Sequence, residues 1–211
     1  MEQEGVIKFQ LRFFPYPAVH QKNIECLDKW RDILYTYKII GQDPLRYDGA
    51  GFGNVSKRCP PFFQPCGKRS FFITGTQTGL KRQLTTHDYT TVLEYNIKEN
   101  LIVAEGPVKP SSESLTHGAI YDADTNIRYV FHTHSPEIWK NAKALGIPVT
   151  NPDIPYGTVA MANEVKRLFN RTDVAKLKIF SMGGHEDGII SFGRSTREAG
   201  DIMLHYYNLS R

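Results

Sequence analysis

The sequence is expected to fold as an α/β domain around a mixed or largely antiparallel sheet. Three observations lead there. The chain has 211 residues, of which 40% are hydrophobic and 12% aromatic. That is enough to bury a sizeable core without disulfide or metal staples, so residues 1–211 are expected to form a single domain. Short β-rich runs are intermixed with segments of helical apolar spacing along the whole length. Several of those runs are hairpin-like neighbours, which an all-parallel sheet does not produce.

The first helical pattern covers residues 24–40. Ile24, Leu27, Trp30, Ile33, Leu34, Tyr37 and Ile40 fall on one face, Asn23 offers an N-cap and Gly41 a stop. Residues 41–69, rich in Gly and Pro, read as loop. Ser70–Thr74 reads as a strand that enters the small-residue turn Gly75–Gly79. Thr91–Tyr95 and Asn100–Ala104 read as strands around a bend. A helix is expected from Ser111 to about Ala123, and Arg128–His134 is β-rich. Further helices are expected at 136–145 and 158–169, with a short strand at 147–150 between them. Leu177–Ser181 and Gly188–Phe192 read as strands around Gly183-Gly184-His185-Glu186-Asp187. Ser195 followed by Glu198 is a capping-box pattern, and the helix it opens carries Ala199, Ile202, Met203 and Tyr206 on one face.

Composition removes several function classes. No run of about 18 apolar residues exists, so no span crosses a membrane. The first 30 residues carry Glu2, Glu4, Lys8, Arg12, Lys22, Glu25 and Asp28 and no apolar h-region, which argues against a secretory signal. Three cysteines, Cys26, Cys59 and Cys66, form an odd set that fits a reducing cytoplasm. Net charge is +4, and the whole excess lies in residues 1–110, where Lys57-Arg58, Lys68-Arg69 and Lys81-Arg82 form basic pairs. This is too weak for a nucleic-acid stripe and better suited to a small anionic partner.

The strongest chemical signal is His132-Thr133-His134. Residues i and i+2 of a strand point the same way, so two imidazoles can grip one ion at a strand end. Of the seven histidines, His185 sits in a Gly-rich turn between two expected strands, where it can supply a third ligand. Three imidazoles with an open position suit a catalytic Zn2+, although Mn2+, Fe2+ and Co2+ fit the same donors. Ser111, Ser112 and Glu113 open a helix, whose free N–H groups and dipole favour an anion. Asn54 lies in a second small-residue loop. No P-loop, G-x-S-x-G or H-E-x-x-H pattern occurs, and neither Gly49 nor Gly51 starts a dinucleotide fingerprint.

Together Gly53-Asn54-Val55-Ser56, Pro110-Ser111-Ser112-Glu113, His132-Thr133-His134 and the later Gly184-His185 resemble the class II aldolase/adducin family in order and spacing, over roughly residues 25–208. Ile73–Gly79 looks like a longer form of that family's I-T-P-T-G turn, and Ile154–Ala160 like the stretch before its following helix. The resemblance implies a three-layer α/β/α domain around a mostly antiparallel sheet, commonly assembled as a homotetramer. It implies that His132, His134 and His185 hold a divalent metal, usually zinc. Glu113 would be the catalytic acid/base or a fourth ligand, and Asn54, Thr78, Gly79, Ser111 and Ser112 would bind a substrate phosphate.

The implied function is a metal-dependent, cytoplasmic aldolase-type lyase. It would cleave or form a carbon–carbon bond in a phosphorylated ketose through a metal-stabilised enediolate. The alternatives are a sugar-phosphate dehydratase of the methylthioribulose-phosphate kind, a 4-epimerase, and a non-catalytic adducin-like interaction module. The family's epimerases typically carry Asp where this chain has Glu113, and retention of all three histidines argues against the module. Family aldolases take a general-acid tyrosine partly from a C-terminal tail, which is expected to be missing beyond Arg211. Tyr121, Tyr156, Tyr206 and Tyr207 are available without a motif to nominate one. Glu186 or Asp187 would orient His185, transfer protons or form a solvated loop. The loop holding Cys59 and Cys66 is expected to act as a lid, since it lies between Asn54 and the 76–79 turn. The expected partner is a phosphorylated sugar, with no nucleic acid and no membrane.

Overall fold

The computed structural model describes residues 4–211. The elements are β1 (Gln10–Pro15), α1 (Gln21–Thr36), β2 (Gly41–Gln42), β3 (Gly51–Phe52), β4 (Asn54–Arg58), β5 (Phe71–Thr74), β6 (Tyr89–Asn96), β7 (Leu101–Gly106), α2 (Ser114–Ala123), β8 (Tyr129–His134), α3 (Pro136–Asn141), α4 (Val159–Arg171), α5 (Val174–Leu177), β9 (Ile179–Ser181), β10 (Gly188–Gly193) and α6 (Thr196–Leu209). The central sheet has eight strands in the order β1-β7-β6-β5-β4-β8-β10-β9, and β2 pairs with β3 in a separate ribbon. Every neighbouring pair of the sheet is antiparallel except β1 with β7. The sheet is therefore mixed and mostly antiparallel.

Both faces of the sheet are covered, and the strand period assigns each side chain to a layer. Val130, Phe180 and Ile190 point into a cluster closed by Leu115 and Ile120 of α2 and by Val165 and Leu168 of α4. Their sequence neighbours Phe131, Ile179 and Ile189 point the other way, against Ile24 and Leu27 of α1, Ile138 of α3 and Met203 of α6. This is the three-layer α/β/α architecture. It explains why strand runs at the sheet centre lack a polar face. His132 and His134 share the Val130 side of β8, the side on which α2 packs.

Several boundaries differ from the sequence expectation. The region 41–69 is not all loop: β4 lies within it and pairs with both β5 and β8 at the centre of the sheet. The first helix starts at Gln21 and ends at Thr36, because Lys38 takes a left-handed φ of 58° before the chain turns into β2. The helix after Pro110 starts at Ser114, since the Ser111 hydroxyl first accepts the Glu113 N–H at 3.3 Å in a preceding turn. Expected strand 147–150 reduces to a single bridge between Val149 and Ser181. The cap of the last helix follows the sequence, with the Ser195 hydroxyl accepting from the Glu198 N–H at 3.1 Å. Glu2, one of the charges that argued against a signal segment, lies outside the described residues. No helix among the described residues is long and apolar enough to cross a membrane.

The antiparallel pairing of β4 with β5 overturns the lid expectation. Ser56 faces Ile73 and Arg58 faces Phe71, so the Cys59–Cys66 loop joins the strands at the end remote from Asn54 and the 75–79 turn. The basic pairs also fail to surround an anion site. Arg58 is buried and donates to Thr125 O, while Arg69 is buried beside Asp122. Lys57 donates to Asn23 O, and Lys68 and Lys81 pair with Glu94 and Asp88.

Helix α2 is buried on nearly its whole circumference, and Gly118 lies directly under the Tyr95 ring. A β-carbon there would sit 2.8 Å from two ring atoms of Tyr95, whose hydroxyl is tied to Asp122 at 2.8 Å. Gly118→Ala gains about 1 kcal/mol of helix propensity and incurs about 1–3 kcal/mol of overpacking. Thermal unfolding of the variant is expected at a midpoint a few degrees below wild type, and an unchanged or higher midpoint would contradict the packing argument.

Candidate functional site

Three histidines meet at the end of the central strands. His132 and His134 project from β8, which lies between β4 and β10, with Asn54 opposite His132 and Gly188 opposite His134. His185 enters from the β9–β10 turn. Their Nε2 and Nδ1 donors offer a set of ligand atoms all within 4.8 Å of one another, and all three residues are buried. His132 Nε2 and His134 Nε2 are 3.1 Å apart. Two donors held at roughly 2.0–2.1 Å by one tetrahedral ion lie about 3.3 Å apart, so the spacing fits a divalent transition metal.

The turn that carries His185 depends on close approach rather than on glycine's conformational freedom. Neither Gly183 nor Gly184 has a left-handed φ, but a β-carbon on Gly184 would collide with the Ile154 carbonyl oxygen, and one on Gly183 with that of Thr150. Asp187 takes the left-handed position instead, at φ 61°. It is buried, accepts the Tyr47 hydroxyl at 2.6 Å and pairs with Arg46 at 3.3 Å. Glu186, its neighbour, is exposed. The Tyr156 ring stacks on His185, 4.4 Å between centroids.

Two carboxylates flank His185. Glu113, at the N-cap of α2, places Oε1 3.4 Å from Nδ1, a contact too poorly aligned to count as a hydrogen bond. Glu4 places Oε2 2.8 Å from Nε2 and Oε1 4.0 Å from His134 Nε2. Burial disfavours charge on His185, but the contacts with Glu113 and Glu4 outweigh it and push its pKa up to about 9. Burial likewise raises Glu113, yet the His185 contact and the positive potential of His132 and His185 pull it down to about 2. His132, where burial dominates, falls to about 4, and His134 goes well below the ordinary value through burial and its two histidine neighbours. The two carboxylates thus favour positive charge at His185, while burial keeps His132 and His134 neutral, the form that can ligate a metal.

The second part of the site adjoins the first. Asn54, Thr78, Gly79, Ser111 and Ser112 line one small cavity together with Gly51, Gly53, Gly75 and Thr76. Arg31 of α1 donates to the Thr78 carbonyl at 3.4 Å and to that of Arg82, which fixes the turn from behind. The Thr78 hydroxyl is turned inward, donating to Gly75 O at 3.0 Å. Gly79 packs against Gly51 and the Gly41 carbonyl, where no β-carbon fits. Asn54 Oδ1 is buried and makes no hydrogen bond among the described residues. No Lys or Arg lines this cavity.

The site residues read from the sequence therefore gather in one region. Glu4, Arg46, Tyr47 and His117 were not among them. Tyr47 lies edge-on to His134, 4.8 Å between ring centroids, and with Asp48 and Gly49 forms three successive left-handed residues. The Asp48-Gly49 dipeptide is the one sequence signal for that turn. Of the tyrosines considered, only Tyr156 touches the histidine cluster; Tyr121 lies in the core behind it, and Tyr206 and Tyr207 pack on the opposite layer.

His117 lies one turn after Glu113. Its Nδ1 shares a 2.6 Å hydrogen bond with the Ser56 hydroxyl, which shares another of 2.7 Å with the Tyr121 hydroxyl. Tyr121 in turn donates to Arg128 O at 3.4 Å. This direction makes the Nδ1–H of a neutral His117 the donor at the head of the chain.

The chain is a layered α/β/α domain whose buried histidine cluster could hold a metal ion beside a glycine- and hydroxyl-lined cavity. Residues 31–211 match the family described as Class II Aldolase and Adducin N-terminal domain, and the chain belongs to that family. Among solved structures it is similar to L-fuculose-1-phosphate aldolase from Thermus thermophilus, at 19% identity and a TM-score of 0.62 over 90% of this chain and 92% of that one. It is also similar to a sugar-phosphate aldolase from Thermotoga maritima, at 17% and 0.59 over 90% and 92%. A third is the N-terminal class II aldolase domain of a conserved protein from Thermoplasma acidophilum, at 16% and 0.58 over 92% and 96%. At these identities the likeness concerns the fold. No curated protein sequence matches the chain significantly.

Two outcomes follow. Gly184→Ala is expected to displace His185 and weaken metal binding at least tenfold, read by chelator competition; unchanged affinity would show that the turn tolerates the side chain. The second concerns acid. Burial pulls His117 down to about 3, whereas in the unfolded chain it titrates near 6.5. The unfolded state therefore takes up this proton first, and stability drains away as pH falls from about 6.5 towards 3, by on the order of a few kcal/mol. His117→Gln is expected to make the urea midpoint less dependent on pH across that window, and an equally steep profile would rule His117 out as its source.

Proposed function

We propose that this chain is a divalent-metal-dependent lyase of the aldolase type, with zinc the first candidate ion, that cleaves or forms a carbon–carbon bond in a phosphorylated ketose. The observation that carries the reading is the meeting of two half-sites: three buried histidines with a flanking carboxylate, and beside them a cavity lined by Asn54, Ser111, Ser112 and the Thr78–Gly79 turn. A bound divalent ion would act as a Lewis acid for the negative charge left on the substrate when the bond breaks. The cavity residues bind the phosphate through hydroxyls and backbone N–H groups, which sets the reacting carbons against the histidine cluster. Glu113, held ionised by its surroundings, takes the proton and returns it. Burial around both groups keeps water from competing for that proton.

The same residues serve a dehydratase or a 4-epimerase, whose chemistry also operates next to the substrate carbonyl. Adducin-like interaction modules make no demand for three buried imidazoles and a buried carboxylate. Cytoplasmic location and homotetrameric assembly belong to the same proposal.

The test is a panel of phosphorylated ketoses offered to the zinc- or cobalt-loaded protein, with release of a triose phosphate as the readout. Glu113→Gln is expected to lower kcat by about 10²–10⁴-fold with metal content preserved. His134→Ala is expected to lose the metal. Loss of water or formation of an epimer in place of cleavage would move the assignment to the dehydratase or epimerase. A metal-free wild type, or a loaded one that transforms no member of the panel, would overturn it.

A further inference from the structure

The N-terminal strap from Glu4 to Lys8 crosses both halves of the site. Its backbone is fastened at three points: the Thr76 hydroxyl donates to Gly5 O at 3.3 Å, the Val6 N–H donates to the Tyr156 hydroxyl at 3.1 Å, and Asn100 Nδ2 donates to Lys8 O at 2.8 Å. Lys8 Nζ reaches the Tyr156 carbonyl at 3.1 Å and lies 3.5 Å from the centre of the Tyr156 ring, the ring that stacks on His185. Gly5 takes a left-handed φ of 76°, which turns the chain so that Glu4 enters the cluster. The Glu4 side chain is 9% exposed, low for a carboxylate so close to the end of the described chain.

We infer that Glu4 is a displaceable ligand of the metal held by His132, His134 and His185, and that a substrate phosphate and Glu4 cannot occupy the site together. Two independent observations support the two halves of this statement. Glu4 is the carboxylate on the Nε2 side of the cluster, with its oxygens 2.8 Å from His185 Nε2 and 4.0 Å from His134 Nε2, whereas the contact of Glu113 is with the opposite nitrogen of His185. A carboxylate in that position completes a three-histidine, one-carboxylate set. Secondly, Glu4 and Gly5 themselves line the phosphate cavity, whose volume is about 20 Å³ with the strap in place. That is room for about one water and not for a phosphate group. The strap therefore has to lift for a phosphate to enter, and lifting it carries Glu4 away from the imidazoles. With an ion held by the three histidines, release of Glu4 would leave a coordination position free for substrate, which a catalytic site needs.

The inference rests on the reading of the histidines as a metal centre, and the experiment separates the two. Co2+ is titrated into the full-length wild type, Glu4→Gln and His134→Ala, following the visible absorption of the bound ion and, by chelator competition, its affinity. Glu4→Gln is expected to bind Co2+ roughly tenfold or more weakly, with an altered absorption band. His134→Ala is expected to show no specific band. The titrations are then repeated with inorganic phosphate. If phosphate and Glu4 exclude each other, phosphate weakens Co2+ binding more in wild type than in Glu4→Gln, because coupling between the sites is reciprocal and the variant has no ligand to lose. Comparing the two proteins cancels complexation of Co2+ by phosphate in solution. Identical affinity and spectrum in Glu4→Gln and wild type would overturn the inference while leaving the metal centre standing, as would an equal phosphate effect in both. Absence of Co2+ binding by the wild type would remove the metal centre and the inference with it. Equal thermal midpoints of the metal-free proteins establish that Glu4→Gln is folded.

Discussion

The site depends on the pairing of β8 with β4 on one side and β10 on the other. Those two ladders place Asn54 beside His132 and bring the β10 entry, with its His185 turn, beside His134. A slip of one residue in either ladder would move His132 and His134 to the α1–α6 face, away from Glu113. Burial on both faces of β8 fixes the register: Val130 and Phe131 go to different cores, and exchanging them would cost both. Packing of the two outer layers and placement of the imidazoles are the same requirement met once.

Around that frame the polar groups divide the work by position. His185 lies between two carboxylates, one from α2 and one from the N-terminal strap, so its two ring nitrogens face different parts of the chain. Its turn is held by Gly183 and Gly184 against the Thr150 and Ile154 carbonyls, and by Asp187 against Tyr47 and Arg46. Behind Glu113, the chain from His117 through Ser56 to Tyr121 satisfies polar groups that would otherwise be buried alone. Each of these contacts joins segments far apart in the sequence, which makes the centre a product of the tertiary fold.

That distance separates what the sequence disclosed from what it did not. His132 and His134 were visible because a strand period of two shows a shared face directly, and Ser195 with Glu198 because a cap acts over three residues. The spacing of Ser111, Ser112, Glu113 and His185 pointed to the same region through family resemblance. Strand β4 was hidden because Asn54–Arg58 has neither alternation nor a β-branched run; its place is secured by neighbours on both sides. β1 was hidden because Arg12 interrupts its apolar residues and Pro15 ends it, with Pro17 just beyond. Glu4 carries no local signal at all, since its contact with His185 spans 181 residues. The basic pairs misled for a related reason. A charge count cannot separate a solvated arginine from one such as Arg58 or Arg69, whose guanidinium is buried against backbone carbonyls.

The placement of charge also bears on how an anion would reach the protein. Arg31, Arg58 and Arg69 are at most 7% exposed, but Asp88, Glu113, Glu164 and Asp187 are buried as well, so the surface keeps a net charge close to the formal +4. The cavity that would receive a phosphate has no cationic side chain in its wall and one carboxylate across its mouth. Side chains in the wall would therefore add little to the long-range attraction of an anion, and what attraction there is would come from an ion held by the histidines. Discrimination would be made on contact, by backbone N–H groups and hydroxyls that reward the right shape and ignore charge at a distance.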